Sequence, residues 1–302
     1  MKKLLIVLFF GICIILDAEV ISYTFPQIDT LNLEPFATFS DSVINESSGI
    51  IKSRNYDTLF WTLNDSGDEA RIFPITGKGE AIKPEFIDTF NGLQIPDAVN
   101  IDWEDLAVDE NGDIIIGACG NNFNVRRDLS IYIIKEPHPM AQAQTRVFKK
   151  IFFYYPEQDS FPKKTDFNYD CEAVFSAEND IFFLTKHRSN INTYLYKLED
   201  QDPSKYHPLK RIAEIEINGM VTAADCSKDG KKLAVLTYYG VFLFERKGEE
   251  NWFKGKAKWL PIKAKQCEGI CFDGDDLIIT NEQMELFRIQ EKQLQEIIVE
   301  VK

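Results

Sequence analysis

The sequence contains very few histidines, and this scarcity limits the kinds of metal site that it can build. There are three, His138, His187 and His207, so a site made of several imidazoles is not expected. A glycine-rich phosphate loop, a serine nucleophile elbow and an HExxH helix are also missing. Carboxylates and hydroxyls therefore remain as the main candidates for chemistry.

Basic residues are also fewer than acidic ones. Lysine and arginine number 34 against 48 aspartates and glutamates, which gives a net charge of −14. Nucleic acid and anionic membrane surfaces are therefore not expected as partners. Beyond the first residues the sequence has no long helical periodicity, and its apolar segments are rich in β-branched and aromatic residues, which predicts an all-β fold.

The N-terminus has the pattern of an export signal. Lys2 and Lys3 precede thirteen apolar residues at positions 4–16, a run that is too short to span a bilayer. We therefore predict a signal peptide over residues 1–18 and a single domain over residues 19–302. The mature protein is expected to be periplasmic or secreted, with no stable membrane span.

Five cysteines remain after the predicted leader: Cys119, Cys171, Cys226, Cys267 and Cys271. An odd number in an oxidising compartment leaves at least one unpaired or joined to another chain. All five lie in or beside apolar segments, which favours small buried core residues. The alternative is a metal–thiolate site, because Cys171 and Cys267 each precede a glutamate of the repeat described next.

A short pattern occurs five times along the chain. Each copy has an oxygen-bearing residue, a short apolar strand, a turn of polar or small residues and a second apolar run. The copies open at Ser48, Glu104, Glu172, Thr222 and Glu268, which are 56, 68, 50 and 46 residues apart. A four-stranded propeller blade takes about 40–50 residues. The pattern therefore predicts a five-bladed β-propeller with four antiparallel strands per blade, and the 68-residue gap leaves a six-bladed propeller as the alternative.

Two outer strands can be placed after the first four copies, for example at residues 71–75 and 85–90 in the first. The fifth copy offers residues 285–289 as its third strand and residues 297–301 beyond it. Residues 36–39 precede the first copy as a fourth strand precedes each later one. We therefore expect this N-terminal strand to complete the last blade, since closure removes the exposed edges of an open array.

The first strand of every propeller blade lines the central channel, so the five opening residues should converge on one axis. Carboxylates gathered in a channel repel one another unless a cation neutralises them. Ligation by oxygen alone suits Ca²⁺ better than Zn²⁺ or Cu²⁺. The predicted metal ligands are Ser48, Glu104, Glu172, Thr222 and Glu268, with Glu46 as an outer ligand. The alternative is that the glutamates are solvated or hydrogen-bond neighbouring strands.

The loops from second to third strand should lie on the same face as this metal site. They carry basic residues that are predicted to hold an anionic small molecule such as phosphate: Arg71, Arg126, Arg127, Lys186 and Arg188. Asp65 or Glu104 is the candidate for activating water. This combination indicates a Ca²⁺-dependent phosphohydrolase. A non-catalytic propeller that binds a ligand or a protein, with a structural metal, is the alternative.

The order Ser, Glu, Glu, Thr, Glu on five repeats resembles the calcium-activated nucleotidases, or soluble apyrases. That resemblance implies a five-bladed propeller with Ca²⁺ in its channel and a hydrolase of nucleotidase-like or phytase-like type. The chain departs from the nucleotidases at NDSG (residues 64–67) and at Thr222. The motifs ESSG (46–49), NDSGD (64–68), DWEDLA (102–107), DCEA (170–173) and EGI (268–270) more closely resemble uncharacterised exported bacterial propellers, which imply a fold and no activity.

Overall fold

A computed structural model describes residues 20–246, 248 and 251–302. The predicted leader lies outside the described residues and stays an expectation. About half of the described part is β-strand, and its helices are two short 3-10 turns, Trp252–Lys254 and Glu291–Gln293. Within it, no helix is long and apolar enough to cross a membrane. The all-β prediction is confirmed.

The strands, in chain order, have the following bounds. They are β1 (Val20–Thr24), β2 (Leu31–Asn32), β3 (Ala37–Thr38), β4 (Ser47–Lys52), β5 (Leu59–Asn64), β6 (Arg71–Thr76), β7 (Leu93–Gln94), β8 (Asp105–Val108), β9 (Ile114–Ala118), β10 (Ser130–Ile134), β11 (Val147–Tyr154), β12 (Asp170–Ala177), β13 (Asp180–Lys186), β14 (Asn192–Leu198), β15 (Tyr206–Pro208), β16 (Lys210–Glu216), β17 (Val221–Cys226), β18 (Lys232–Thr237), β19 (Gly240–Glu245), β20 (Lys256–Lys263), β21 (Cys267–Asp273), β22 (Asp276–Asn281), β23 (Glu285–Gln290) and β24 (Gln295–Val301).

The strands pair into five antiparallel ladders of four. In chain order these are β4-β5-β6-β7, β8-β9-β10-β11, β12-β13-β14-β16, β17-β18-β19-β20 and β21-β22-β23-β3. The first strand of each ladder packs against the first strand of the next, and β21 packs against β4. We call these five the inner strands. Their ring gives the chain the arrangement of a β-propeller, with the inner strands around its central channel.

Apolar side chains fill the space between the ladders. Five buried hydrophobic clusters are present, and each is formed mainly by two successive ladders. One of them joins the fifth ladder to the first through Ile278, Ile50 and Phe39. Since inner strands are covered on both faces, they contain short apolar runs, as at residues 49–51, 106–108 and 173–175, rather than alternating patterns.

The predicted closure by an N-terminal strand is confirmed. Ala37 pairs with Leu286 and Thr38 with Glu285, so β3 is the fourth strand of the last ladder. The C-terminal strand β24 instead pairs with β20 and with β1, and β1 also pairs with β16. The outer edges of the third and fourth ladders are therefore covered by the two ends of the described chain.

One predicted outer strand is wrong. Residues 85–90 form no strand, and the fourth strand of the first ladder is β7, which pairs through Leu93 and Gln94. The outer edge of β6 is occupied by these two residues and by an isolated bridge from Ile75 to Ala81. The predicted segment therefore has no free edge to join, and its Phe86 is 67% exposed.

Asp105 joins three inner strands from the centre of the channel. Its Oδ1 accepts the backbone N–H of Leu106 at 2.8 Å. Its Oδ2 accepts the N–H of Val174 on β12 at 3.1 Å and of Ala224 on β17 at 3.3 Å. The inner edge of an inner strand has no neighbouring strand to bond, so one fully buried carboxyl group supplies acceptors that would otherwise be missing.

Candidate functional site

The five repeat-opening residues occupy equivalent places in their ladders. The pairing of inner and second strands slips by one residue at Ser48, Glu172, Thr222 and Glu268. Glu104 directly precedes β8 and shows a similar slip. Its N–H donates to the Gly117 carbonyl, although the residue paired with Gly117 is Asp105. Such bulges turn a side chain out of the regular alternation. All five residues are buried, at the end of the channel where the inner strands begin, which we call the upper mouth.

The two hydroxyl groups of this set hold neighbouring ladders together. Ser48 Oγ donates to the Trp103 carbonyl at 3.2 Å, and Thr222 Oγ1 donates to the Cys267 carbonyl at 2.9 Å. Each bond crosses from one ladder to the next. This arrangement agrees with the alternative in which repeat-opening residues bond neighbouring strands.

Glu172 is paired with a lysine of its own ladder. Lys186 Nζ donates to Glu172 Oε2 at 2.6 Å, and both side chains are buried. Burial alone would lower the pKa of Lys186, but the neighbouring Glu172 carboxylate raises it above its usual range. Lys186 therefore supplies a resident positive charge beside one of the predicted metal ligands.

Glu268 is held by a tyrosine of the fourth ladder. Tyr238 donates its hydroxyl hydrogen to Glu268 Oε1 at 2.8 Å, and the Lys186 ammonium lies 5.3 Å from the centre of the Tyr238 ring. Burial raises the pKa of Glu268, while the charge of Lys186 and the Tyr238 hydrogen bond lower it. Contacts between side chains thus link the third, fourth and fifth ladders at the upper mouth.

Glu104 lies in a different environment. It is 4% exposed, and within the described residues its carboxylate has no hydrogen-bond donor or ion-pair partner. Asp65 and Asp102 each place a carboxylate oxygen within 4.8 Å of it and of one another. Gly120 makes room for the group, because a Cβ at that position would lie 1.9 Å from Glu104 Oε1. We call Asp65, Asp102 and Glu104 the acidic triad.

The environment of the acidic triad disfavours the ionised form of all three carboxyl groups. Burial, followed by repulsion from Glu172, raises the pKa of Glu104 well above its usual range. Burial and then the Asp65 carboxylate raise the pKa of Asp102 to about 6. Burial also raises the pKa of Asp65. Three neighbouring carboxyl groups with this behaviour favour either protonation or a bound cation.

The basic residues predicted to hold an anion are mostly engaged by the protein. Arg71 donates to Asp68 and to the Asn91 carbonyl. Arg126 Nη1 donates to the Gly120 carbonyl at 2.6 Å and lies 4.0 Å from Asp102 Oδ2. Arg127 is exposed and lies 4.2 Å from the centre of the Phe161 ring. Of these three arginines, Arg127 therefore has the guanidinium that is most available to a ligand.

Arg188 is held by two acidic residues of its own ladder. Its Nε donates to Asp170 Oδ2 at 2.9 Å, and its Nη2 lies 3.7 Å from Glu172 Oε1. The fully buried Asp170 also accepts the N–H of Asn121 at 2.6 Å. Lys186 and Arg188 therefore neutralise Glu172 and Asp170, and do not form an open anion site.

Sequence reasoning missed Asp102 and Asp170 as members of the upper mouth. Both stand two residues before a repeat glutamate, in the DWE and DCE motifs. This shared spacing before a repeat glutamate is the signal that could have identified them.

The five cysteines are free and buried. This agrees with their interpretation as core residues. In the described part of the chain, the acidic triad is the group of side chains close enough to hold a metal, and it contains no cysteine. Burial raises the pKa of the Cys119 and Cys171 thiols, which disfavours the thiolate form that metals bind.

No protein-family model matches the chain, and no curated protein matches its sequence. Its structure is similar to that of the PQQ-bound aldose sugar dehydrogenase from Streptomyces coelicolor, with 9% identity, 89% of this chain and 97% of that chain covered, and a TM-score of 0.47. It is also similar to Kuenenia stuttgartiensis hydrazine synthase, with 11% identity, coverages of 82% and 72%, and a TM-score of 0.44. These are distant likenesses, and no activity follows from them.

Proposed function

We propose that this protein is a five-bladed propeller that binds Ca²⁺ at its upper mouth, through the acidic triad. The observation that carries the proposal is Glu104, a buried carboxylate without a protein partner, with Asp65 and Asp102 beside it. Burying an ionised carboxylate is costly unless it is paired or coordinates a metal. The five ladders and the five clusters between them support five blades over six.

The donor set fits a hard divalent cation. All three triad side chains offer carboxylate oxygens, which Ca²⁺ prefers and which it accepts in flexible numbers with water. Of the ligands predicted from sequence, Glu104 belongs to this set. Glu172 and Glu268 contribute negative potential, whereas the Ser48 and Thr222 hydroxyls serve as contacts between ladders. The proposed site is therefore displaced from the channel axis toward the first and second ladders.

Cation binding can be measured by thermal unfolding in Ca²⁺, in Mg²⁺ and in chelator. A ligand that binds only the folded state at about 100 times its Kd stabilises it by about 2.7 kcal/mol. We expect Ca²⁺ to raise the melting temperature of the wild type and to have little effect on Glu104→Gln and Asp102→Asn. Glu85→Gln, at an exposed glutamate outside the triad, is the matched control and should respond like the wild type. Equal melting temperatures with Ca²⁺ and with chelator would contradict the proposal.

A Ca²⁺-dependent phosphohydrolase is the activity that we propose for this site. Burial and Asp65 raise the pKa of Asp102 to about 6 while the site holds no cation; a bound cation would lower that pKa, so Asp102 would serve as a ligand of the ion and not as the base. Arg127, which is exposed, would contact an anionic substrate. Bound Ca²⁺ would supply charge neutralisation for a phosphate group at an otherwise acidic mouth. The resemblance to the calcium-activated nucleotidases points to the same chemistry.

The competing function is a non-catalytic module in which the cation only stabilises the propeller. The engagement of Arg71, Arg126, Lys186 and Arg188 by protein groups favours it. A phosphate-release screen with nucleotides, inositol phosphates and sugar phosphates, in Ca²⁺ and in chelator, separates the two. Turnover that needs Ca²⁺ and Asp102 supports the enzyme. Ca²⁺-dependent stabilisation without turnover of any substrate supports the binding module. Export to the periplasm or the medium is part of the proposal for either function.

A further inference from the structure

The opposite end of the channel contains a second candidate site. A cavity of about 290 Å³ lies where the inner strands end. Lys52, Arg54, Asp57, Asp225 and Lys228 contribute its charged lining. A neighbouring cavity of about 260 Å³ shares Arg54 and Lys228 with it. We call this region the lower mouth, and the Asp105 contacts between β8, β12 and β17 separate it from the acidic triad.

Arg54 is an unusual cation for this protein. It is half-buried, and within the described residues its guanidinium forms no ion pair and donates no hydrogen bond. Its neighbours on the same face behave differently: Lys52 pairs with Asp273 at 2.5 Å, and Arg246 pairs with Glu178 at 2.9 Å. A guanidinium has five donors in a planar fork that matches a carboxylate. Arg54 therefore presents unused donors to the cavity.

Asp225 faces the same cavity with the opposite charge. Its Oδ2 accepts the N–H of Phe272 at 2.8 Å, and among the described residues no basic group forms an ion pair with it. Burial raises the pKa of Asp225 to about 6, and the charge of Arg54 acts in the lowering direction. At neutral pH the group is largely ionised. Arg54 and Asp225 thus interact across the cavity and do not close into a salt bridge.

Arg54 and Asp225 are opposite, partly buried charges that line one small cavity without pairing, and the exposed Asp57 and Lys228 also line it. The partly buried pair suits a ligand that carries both charges itself. We propose that the lower mouth binds a small zwitterion of the free α-amino-acid class, with its carboxylate on Arg54 and its ammonium group toward Asp225. A cavity of about 290 Å³ is at the lower end of the usual size range for small-molecule sites, which is roughly 300–1,000 Å³. A charge-assisted bond at each end would give the site its selectivity.

The test is isothermal titration calorimetry of the full mature chain at pH 7.5 with chelator present, so that the acidic triad does not contribute. The probes are glycine, alanine and serine, with acetate and methylammonium as half-ligands. We expect an amino acid to bind more tightly than either half-ligand. Arg54→Gln and Asp225→Asn should each weaken that binding by about tenfold or more. Arg146→Gln removes an exposed arginine outside the cavity and should bind as the wild type does.

Each other outcome overturns the proposal. Acetate that binds as tightly as the amino acids and is unaffected by Asp225→Asn would indicate an anion site. Methylammonium that binds as tightly and is unaffected by Arg54→Gln would indicate a cation site. The absence of binding by every amino acid tested would leave no zwitterion site. Arg54→Lys provides a second variant if Arg54→Gln fails to fold, because it keeps the charge and loses the planar fork, and it should bind more weakly than the wild type.

Discussion

Replacing Asp105 by alanine should weaken the propeller at its centre more than any surface substitution. The carboxyl group is fully buried and accepts two backbone N–H groups from other ladders, those of Val174 and Ala224. Both of these donors are themselves buried, so water cannot replace the lost acceptor. A buried donor left without a partner costs about 1–3 kcal/mol. These two and the buried Leu106 N–H, which Asp105 Oδ1 accepts, predict a loss of about 3–9 kcal/mol in the free energy of unfolding.

Urea denaturation followed by tryptophan fluorescence measures this loss, and amide hydrogen exchange locates it. We expect the Val174 and Ala224 amides to lose protection before the rest of β12 and β17, because their acceptor is the group removed. Asp29→Ala is the control, since Asp29 is exposed, and it should change stability by no more than about 0.5 kcal/mol. An Asp105→Ala protein as stable as this control, with both amides still protected, would refute the role assigned to Asp105.

Three further predictions concern the two mouths. Lys186→Met leaves the buried Glu172 carboxylate without its cation, so urea denaturation at pH 8 should show a loss of about 3–5 kcal/mol in the free energy of unfolding. Adding Glu172→Gln should restore part of that stability. A double variant as unstable as Lys186→Met would contradict the pairing. Gly120→Ala places a Cβ against Glu104 Oε1, so calorimetry should show weaker Ca²⁺ binding than in the wild type. Circular dichroism should show that the variant stays folded. Unchanged Ca²⁺ affinity would argue against the acidic triad as the cation site. The folded-state pKa of Asp225 is raised to about 6, so the wild type should lose stability as pH rises through that value. The gain in stability of Asp225→Asn over wild type should therefore grow by about 1 kcal/mol from pH 5 to pH 8, and a pH-independent difference would contradict the shift.

The repeat pattern predicted most of the strands because it records burial directly. The strands predicted at residues 71–75 and 285–289 agree with the observed β6 (Arg71–Thr76) and β23 (Glu285–Gln290). Each inner strand contains a short apolar run and ends at a polar turn, and turns such as those at Gly230 and Gly274 have the positive φ that glycine adopts readily. The prediction of a strand at residues 85–90 was wrong because the apolar residues there are not all buried and no strand edge is free to pair with them.

The site could be predicted only in part. Counting repeats predicts that Glu104, Glu172 and Glu268 lie at one mouth, and all three side chains are buried where their inner strands begin. The sequence could not show that Lys186 reaches Glu172 or that Tyr238 reaches Glu268, because these contacts depend on side-chain reach across strands and between ladders. For the same reason Asp65 was singled out for water activation, while its neighbour Asp102 was missed.

The sequence by itself therefore determined the all-β class of the fold, and it predicted five repeats and one end of the channel at which oxygen-bearing side chains gather. Those properties follow from local periodicity, which a linear chain carries in full. Only the tertiary structure decided which carboxylates already have partners and which do not, because pairing depends on distances of a few ångströms between different ladders. That distinction moved the candidate cation site from a symmetric ring of five residues to Asp65, Asp102 and Glu104 on one side of the channel.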